Sequence, residues 1–389
     1  MQIKEVSARK IKDSRDEWTI EVSVNGCKAS SPSGTSTGKY ETPSYFKSLD
    51  NNIKLINNFK ELKTLEINSF SDLSKVENLV KKKFKLKDAK QFGANALFAL
   101  ESAVLKALAR EECRELWEVI NPRAYHFPIP VGNAVGGGLH SKEKHHPAFQ
   151  EFLLIPKEAS FCGNVIAMTE IQKAIGIILN GKRKDQEGAW ETSFYDEQIL
   201  SIMDKFKKKA HLGIDIAAST IYDNGYYHYG KLKFSISKQI KYVNHLIDRY
   251  HLLYVEDPLQ EEDFQGFKSI KKSHLIVGDD LTATNIERLK KAFSMNSINA
   301  VIIKPNQNGS LLDLKEIFEF CKKKGIHTIM SHRAGETLDT SLADYAFAFQ
   351  ADYIKCGIST KWRKVKLKRL IEIEKGIAGK MFEKTSILD

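Results

Sequence analysis

Residues 252–258 (LLYVEDP) and 275–281 (LIVGDDL) share one design, a short apolar run that turns acidic at its end. The design recurs on both sides of them. Residues 212–218 (LGIDIAA) turn polar at Asp215, 300–306 (AVIIKPN) at Lys304, 327–333 (HTIMSHR) at His332 and Arg333, and 352–357 (DYIKCG) at Lys355. Glu256 follows Asp215 by 41 residues; Asp279, Lys304, His332 and Lys355 then follow in steps of 23, 25, 28 and 23. Each of the later steps holds one strand, one helix and two short loops, the period of a (β/α) barrel. A parallel barrel strand is covered on both faces and is apolar along its length. A charge at its last position therefore serves the mouth, where such barrels carry their chemistry.

The 389 residues suit two domains rather than one. A hydrophobic content of 42% can fill a large core. With no long apolar run and no apolar N-terminal segment, neither a membrane span nor a leader is expected. The five cysteines (Cys27, Cys113, Cys162, Cys321, Cys356) are scattered and never in Cys-x-x-Cys spacing. This predicts a reducing, cytoplasmic setting and argues against a disulfide framework or a zinc site. The net charge of +11 is carried largely by lysine runs such as 81–83, 207–209 and 322–324. Such runs are solvated helix faces, and no aromatic-rich basic groove accompanies them, so nucleic acid is not expected. The basic field favours a small anionic substrate instead.

Alternation predicts strands over Ile3–Lys12 and Trp18–Val24 with a turn at Asp13–Glu17. Residues 31–39 (SPSGTSTGK) read as a surface loop, or as a mobile lid whose hydroxyls reach a metal or phosphate. Leu49–Lys87 has a helical pattern, and Ala89–Glu112 is a helix with a broad apolar face. Pro122 and Pro128-Ile129-Pro130 mark a boundary, giving an α+β cap over 1–125 and a barrel over 126–389. The barrel opens with strands at Pro130–Val135 and Gln150–Ile155, too close to hold a helix between them and so a hairpin. Helices follow over 160–180 and 191–209.

Asp215, Glu256 and Asp279 stand on three successive strand ends. Any one of them alone reads as an acid satisfying loop amides; three at this spacing suit Mg²⁺, a hard cation with oxygen ligands. Lys304 reads as a counter-ion to them, or as a base whose proton affinity is lowered by nearby positive charge. Mg²⁺ with a lysine base is one known way to take a proton next to a carboxylate. His332-Arg333 suits phosphate or carboxylate, which arginine binds with a bidentate fork. Glu151 and Glu187 are candidate general acids, Glu151 also reading as an exposed edge residue and Glu187 as part of an ordinary loop. His140 competes with His145 and His146 for a place at the site.

These residues resemble the enolases over nearly the whole chain. Residues 33–38 (SGTSTG) resemble the enolase catalytic loop, 255–258 (VEDP) and 278–282 (GDDLT) two metal-ligand strands, Lys304 with Asn306-Gln307 the strand that bears the base, 331–337 (SHRAGET) the phosphate-binding signature, and Ile354-Lys355 the last strand. The resemblance implies an α+β cap on a barrel that begins ββαα. It implies reversible Mg²⁺-dependent dehydration of 2-phosphoglycerate to phosphoenolpyruvate, with two Mg²⁺ per site. Asp215, Glu256 and Asp279 would hold the first ion, and Ser36 would help hold the second. Lys304 would take the C2 proton, and Glu187, assisted by Glu151, would protonate the leaving hydroxyl. Lys355 would pair with the substrate carboxylate, Arg333 would bind phosphate, and His140 and His332 would lie near the substrate.

The chain departs from the pattern at several points. Asp16-Glu17-Trp18 stands where enolases have Gly-Asn-Pro, Gln186 where an aspartate precedes the acid, Ala189 where a glycine follows it, and Ala334 where a serine follows His-Arg. Enolases usually pair as homodimers through the first strands and the last helix. Here Arg9 would meet Lys375 and Glu21 would meet Glu372, like charge against like, which implies a weakened or rearranged dimer or a monomer. Two alternatives remain: another enolase-superfamily lyase on a different carboxylate, and a non-catalytic enolase-like binding protein. The presence of Lys304 and Glu187 disfavours the latter, which needs neither acid nor base.

Overall fold

A computed structural model of the chain describes residues 1–34, 38–141, 145–272 and 274–385, with His140 and residues 380–385 described by their backbone alone. The chain divides into two compact units. One comprises Met1–His126, Thr282–Leu289 and Ile302–Ala351; the other comprises Phe127–Leu281, Lys290–Val301 and Asp352–Asp389.

The first unit begins with an antiparallel sheet of β1 (Val6–Lys12), β2 (Trp18–Val24) and β3 (Cys27–Ser30). Ile20, Val22 and Val24 of β2 are fully buried, as strand alternation requires. They pack on the helix Ala94–Glu111, which is covered nearly all round. The strand expected from Ile3 starts at Val6, and β3 was not foreseen. The stretch 49–87, expected as helical throughout, is broken into helices Leu49–Asn57 and Leu73–Phe84 with 3₁₀ turns between them. Ser48 caps the first of these, its side chain accepting the Asn51 N–H.

The barrel is closed by eight strands. In chain order they are β4 (Ile129–Gly136), β5 (Glu151–Pro156), β6 (Ala210–Asp215), β10 (Tyr254–Glu256), β11 (Leu275–Gly278), β12 (Ala300–Ile303), β13 (His327–Ser331) and β14 (Tyr353–Lys355). Between β6 and β10 lies a separate meander of β7 (Tyr222–Asp223), β8 (Tyr226–Tyr229) and β9 (Leu232–Ser235). This meander fills the long step from Asp215 to Glu256. β4 and β5 pair antiparallel, as do β5 and β6, whereas β6–β10, β10–β11, β11–β12 and β14–β4 pair in parallel. The hairpin expected at the barrel's start is therefore present. The helices expected over 160–180 and 191–209 run Phe161–Ile178 and Asp196–Met203, followed by a 3₁₀ turn.

The helix Phe161–Ile178 is long and apolar enough to cross a membrane by length and composition. Its burial assigns it otherwise. Met168, Ile171 and Ile175 are covered, and the helix packs on β4 and β5 so closely that a Cβ on Gly132 of β4 would meet the Met168 sulfur. Glu374 of the last helix (Lys361–Thr385) accepts the Phe161 and Cys162 N–H groups at 2.6 and 3.0 Å, filling the free donors of its first turn.

Candidate active site

The second unit carries an acidic row whose origin is the strand register. Glu151 pairs with Asp215, and Asp215 pairs with Glu256, across β5, β6 and β10. In-register residues on neighbouring strands point to the same side, so the three carboxylates form a line. Because β5 runs antiparallel, its first residue lies beside the last residues of β6 and β10. Glu151 is thus no exposed edge residue, being 2% exposed.

Lys355, at the end of β14, reaches this row. Its Nζ lies 2.5 Å from Glu151, donates to Asp215 Oδ2 at 3.1 Å and to the two Glu256 oxygens at 2.9 and 2.8 Å. All four side chains are buried. Burial alone would lower the proton affinity of Lys355, but the charges of Asp215, Glu151 and Glu256 outweigh it and push its pKa well above the usual lysine range. Burial, and after it the charge of Asp215, pushes Glu256 well above the usual carboxylate range, against the pull of Lys355. The Tyr254 hydroxyl also donates to Glu256, at 2.5 Å. One ammonium does not neutralise three buried carboxylates. The donor set, all carboxylate oxygen with an excess of negative charge, fits a hard divalent cation.

Asp279 follows β11 and is half-buried. Asp257, Asp279 and Asp280 bring ligand atoms within 4.8 Å of one another, but Asp257 is a brace rather than a ligand. Its two oxygens accept the N–H groups of Asp279 at 3.0 Å and Asp280 at 2.7 Å. It holds a left-handed backbone (φ 38°), a conformation that aspartate tolerates better than most residues. Its carboxyl is pushed well above the usual range by burial and then by Asp280 and Asp279. The sequence placed it beside Glu256 but gave it no separate role.

Glu187 is 5% exposed, in a loop tied to β4 by reciprocal bonds between Trp190 and the Ala134–Gly136 backbone. Asp185 Oδ1 accepts the N–H groups of Glu187 and Ala189, each at 2.9 Å, which folds the loop into a tight turn. Gly188 has φ +90°, and a Cβ there would lie 2.5 Å from Ser359 Oγ, so only glycine fits. His140 ends a short 3₁₀ turn after β4. Ser36 lies outside the described residues.

The first unit carries the other expected groups. Lys304 follows β12, is half-buried, and donates its backbone N–H to Thr284 Oγ1 at 2.9 Å. His332 and Arg333 follow β13 and are buried. Arg333 Nη2 lies 3.0 and 3.3 Å from the two Glu41 oxygens, and Nη1 donates to Asn306 Oδ1 at 3.4 Å. Its backbone N–H donates to Glu336 at 3.1 Å. The loop is stitched to the start of the expected lid, since Ser33 and Gly335 exchange backbone hydrogen bonds of 2.7 and 2.9 Å. Glu41 was missed; only its position just after the lid could have marked it.

Two family models match the chain: the enolase N-terminal domain over residues 3–120, and the enolase C-terminal TIM barrel domain over residues 124–385. The chain belongs to the enolase family. It is similar to the enolase of Natronomonas pharaonis, at 35% identity over 96% of this chain and 98% of that protein. The enolase of Methanocorpusculum labreanum is 35% identical over 96% of this chain and 99% of its own length, and that of Archaeoglobus fulgidus 34% over 96% and 97%. In this enolase-family chain the acidic row, Lys355 and Glu187 belong to one compact unit, and Lys304, His332 and Arg333 to the other.

Proposed function

We propose that this chain catalyses the reversible dehydration of 2-phosphoglycerate to phosphoenolpyruvate, in glycolysis and gluconeogenesis. The observation that carries the reading is the buried row of Glu151, Asp215 and Glu256 bonded to Lys355. Such a row gathers positive charge, the Lys355 ammonium and a divalent cation, and that charge suits a substrate whose carboxylate must gain negative charge during reaction. Lys304 takes the C2 proton. Glu187, with Glu151 in support, gives a proton to the departing C3 hydroxyl. Arg333 holds the phosphate through its guanidinium fork, and His140 and His332 line the substrate. Lys355 pairs with the substrate carboxylate, its charge kept by the acids around it. Two Mg²⁺, with Asp215, Glu256 and Asp279 as ligands for one and Ser36 for the other, supply Lewis-acid stabilisation of the charge that builds on that carboxylate. The family models' limits support a boundary near residue 125 between a cap and the barrel. The free cysteines fit a cytoplasmic setting.

The test follows phosphoenolpyruvate absorbance from 2-phosphoglycerate, with and without Mg²⁺. Activity that needs Mg²⁺ is the expected result. Lys304→Ala should in addition lose C2 proton exchange by ~10²–10⁴-fold, the usual worth of a general base. Near-normal exchange in that variant removes Lys304 from its role.

A further inference from the structure

Arg363 is the largest side chain with no solvent exposure in the described chain, yet the reaction above leaves it unused. It sits in the first turn of the last helix, eight positions after Lys355. Its Nη1 donates to the Gln186 carbonyl at 3.3 Å, and its Nη2 stands 3.6 Å from Glu187 Oε1, an ion-pair distance. Its stem packs under Gly357, whose φ is +72° and where a Cβ would meet Arg363 Cγ at 3.0 Å. Burying a guanidinium is costly unless it is paired. Here its fork grips the peptide before the acid and faces the acid itself.

A second set of bonds holds the same loop from behind. The Gly188 carbonyl accepts from Ser359 Oγ at 2.8 Å and from Gln172 Nε2 at 2.9 Å. Gln172 Nε2 also donates to the Asn133 carbonyl at 3.2 Å, and Asn133 Nδ2 donates to Glu151 Oε1 at 3.2 Å. Lys184 donates to Gln172 Oε1 and Ser359 Oγ at 3.0 and 3.1 Å. The two candidate acids, Glu187 and Glu151, thus share one buried frame.

We propose that Arg363 is a positioning residue for the proton transfer at C3: it fixes the Glu187 carboxyl through Gln186 and sets the pH range in which Glu187 gives and takes its proton. The inference rests on the function proposed above, with Glu187 as the acid. A guanidinium within ion-pair distance favours the ionised carboxylate. In the hydration direction Glu187 must be ionised to accept a proton from water, and Arg363 keeps it so. Other ionisable groups around the loop are Asp185 and Lys184 within it, Lys173 of the helix Phe161–Ile178 and Lys364 beside Arg363. Glu151 and Lys355 stand on the flanking strands. None of these is altered in the variants below.

The test compares Arg363→Gln and Arg363→Lys with the parent chain in two assays: C2 proton exchange, which depends on Lys304, and overall turnover in both directions across pH. Removing the charge should move the limb assigned to Glu187 upward by about one to three pH units in both directions. Turnover should fall relative to exchange, on the order of 10²-fold for a displacement of about 1 Å. Arg363→Lys keeps the charge but not the fork, so its limb should stay in place while turnover still falls relative to exchange. Equal losses of exchange and turnover in Arg363→Lys would mark a merely structural arginine and overturn the proposal, as would an unmoved limb in Arg363→Gln. Should Arg363→Gln fail to fold, the ratio in Arg363→Lys decides alone. Absence of exchange in the parent chain would instead overturn the assigned reaction.

Discussion

Lys355→Met removes the ammonium that bonds three buried carboxylates at 2.5 to 3.1 Å. Methionine fills most of the lysine's volume, so the loss is electrostatic rather than a cavity. Breaking a buried ion pair from one side costs about 3–5 kcal/mol, because the remaining charge is left without compensation. Against a typical total of roughly 5–15 kcal/mol, that brings the domain close to unfolding. Two conditions should relieve it. A divalent cation bound at the row restores positive charge, and the variant, with no ammonium competing for the same oxygens, binds it more tightly than the parent, so each tenfold gain in affinity narrows the deficit by about 1.4 kcal/mol. Acidification relieves it too: the uncompensated acids bind protons more readily in the folded variant than in the unfolded chain, so its stability falls as pH rises. The assay is urea unfolding followed by circular dichroism, at pH 5.5 and 8, with and without MgCl₂. The deficit relative to the parent should be largest at pH 8 without Mg²⁺ and should narrow under either change. A metal-free deficit under about 1 kcal/mol at pH 8, or one indifferent to both Mg²⁺ and pH, would refute the reasoning.

Burial raises the Asp196 carboxyl from 3.8 to about 6. A carboxyl whose folded value lies above its unfolded one loses stability as pH rises through that window, and the cost is complete above 6. At about 1.36 kcal/mol per unit, Asp196→Asn should be more stable than the parent by up to about 3 kcal/mol at pH 8, with no gain near pH 4. Urea midpoints at the two pH values check this, and a gain that does not depend on pH contradicts it. On the surface of the first sheet, Arg9 bonds Glu21 at 2.7 Å, and on the last helix Lys368 stands 3.9 Å from Glu372. Each side is thus internally paired and offers little opposite charge to a second copy, so self-association should be weak at micromolar concentration. Light scattering measures it; a stable dimer that persists in moderate salt would show that these charges do not control assembly.

The barrel was legible because its strands are short apolar runs closed by charge, and burial on both faces demands that pattern. Asp215, Glu256 and Lys355 were found as strand ends for the same reason. Glu151 was harder: its place beside Asp215 depends on β5 running antiparallel, and one strand's own sequence does not state its direction. The strands β3, β7 and β8 were missed although each follows or flanks an Asn-Gly pair. Asn25-Gly26 and Asn224-Gly225 both take positive φ, as a tight hairpin turn requires. Arg363 had no local mark at all. It lies in a lysine-rich helix in which Lys361, Lys364, Lys368 and Glu372 are exposed but Lys366 is buried as well, and only the packing of the loop at Glu187 gives Arg363 its place.

The pairing of β14 with β4 has a consequence for the order in which the chain is made. Tyr353–Lys355 aligns with Ile129–Val131, so the ring closes only when its last strand emerges, more than two hundred residues after the first. Until then Glu151, Asp215 and Glu256 have been synthesised without the ammonium that bonds them. Synthesis from the N-terminus therefore delivers the acids early and their counter-charge late, and a chain released before residue 355 keeps the three carboxylates but lacks the group that lets them be buried together.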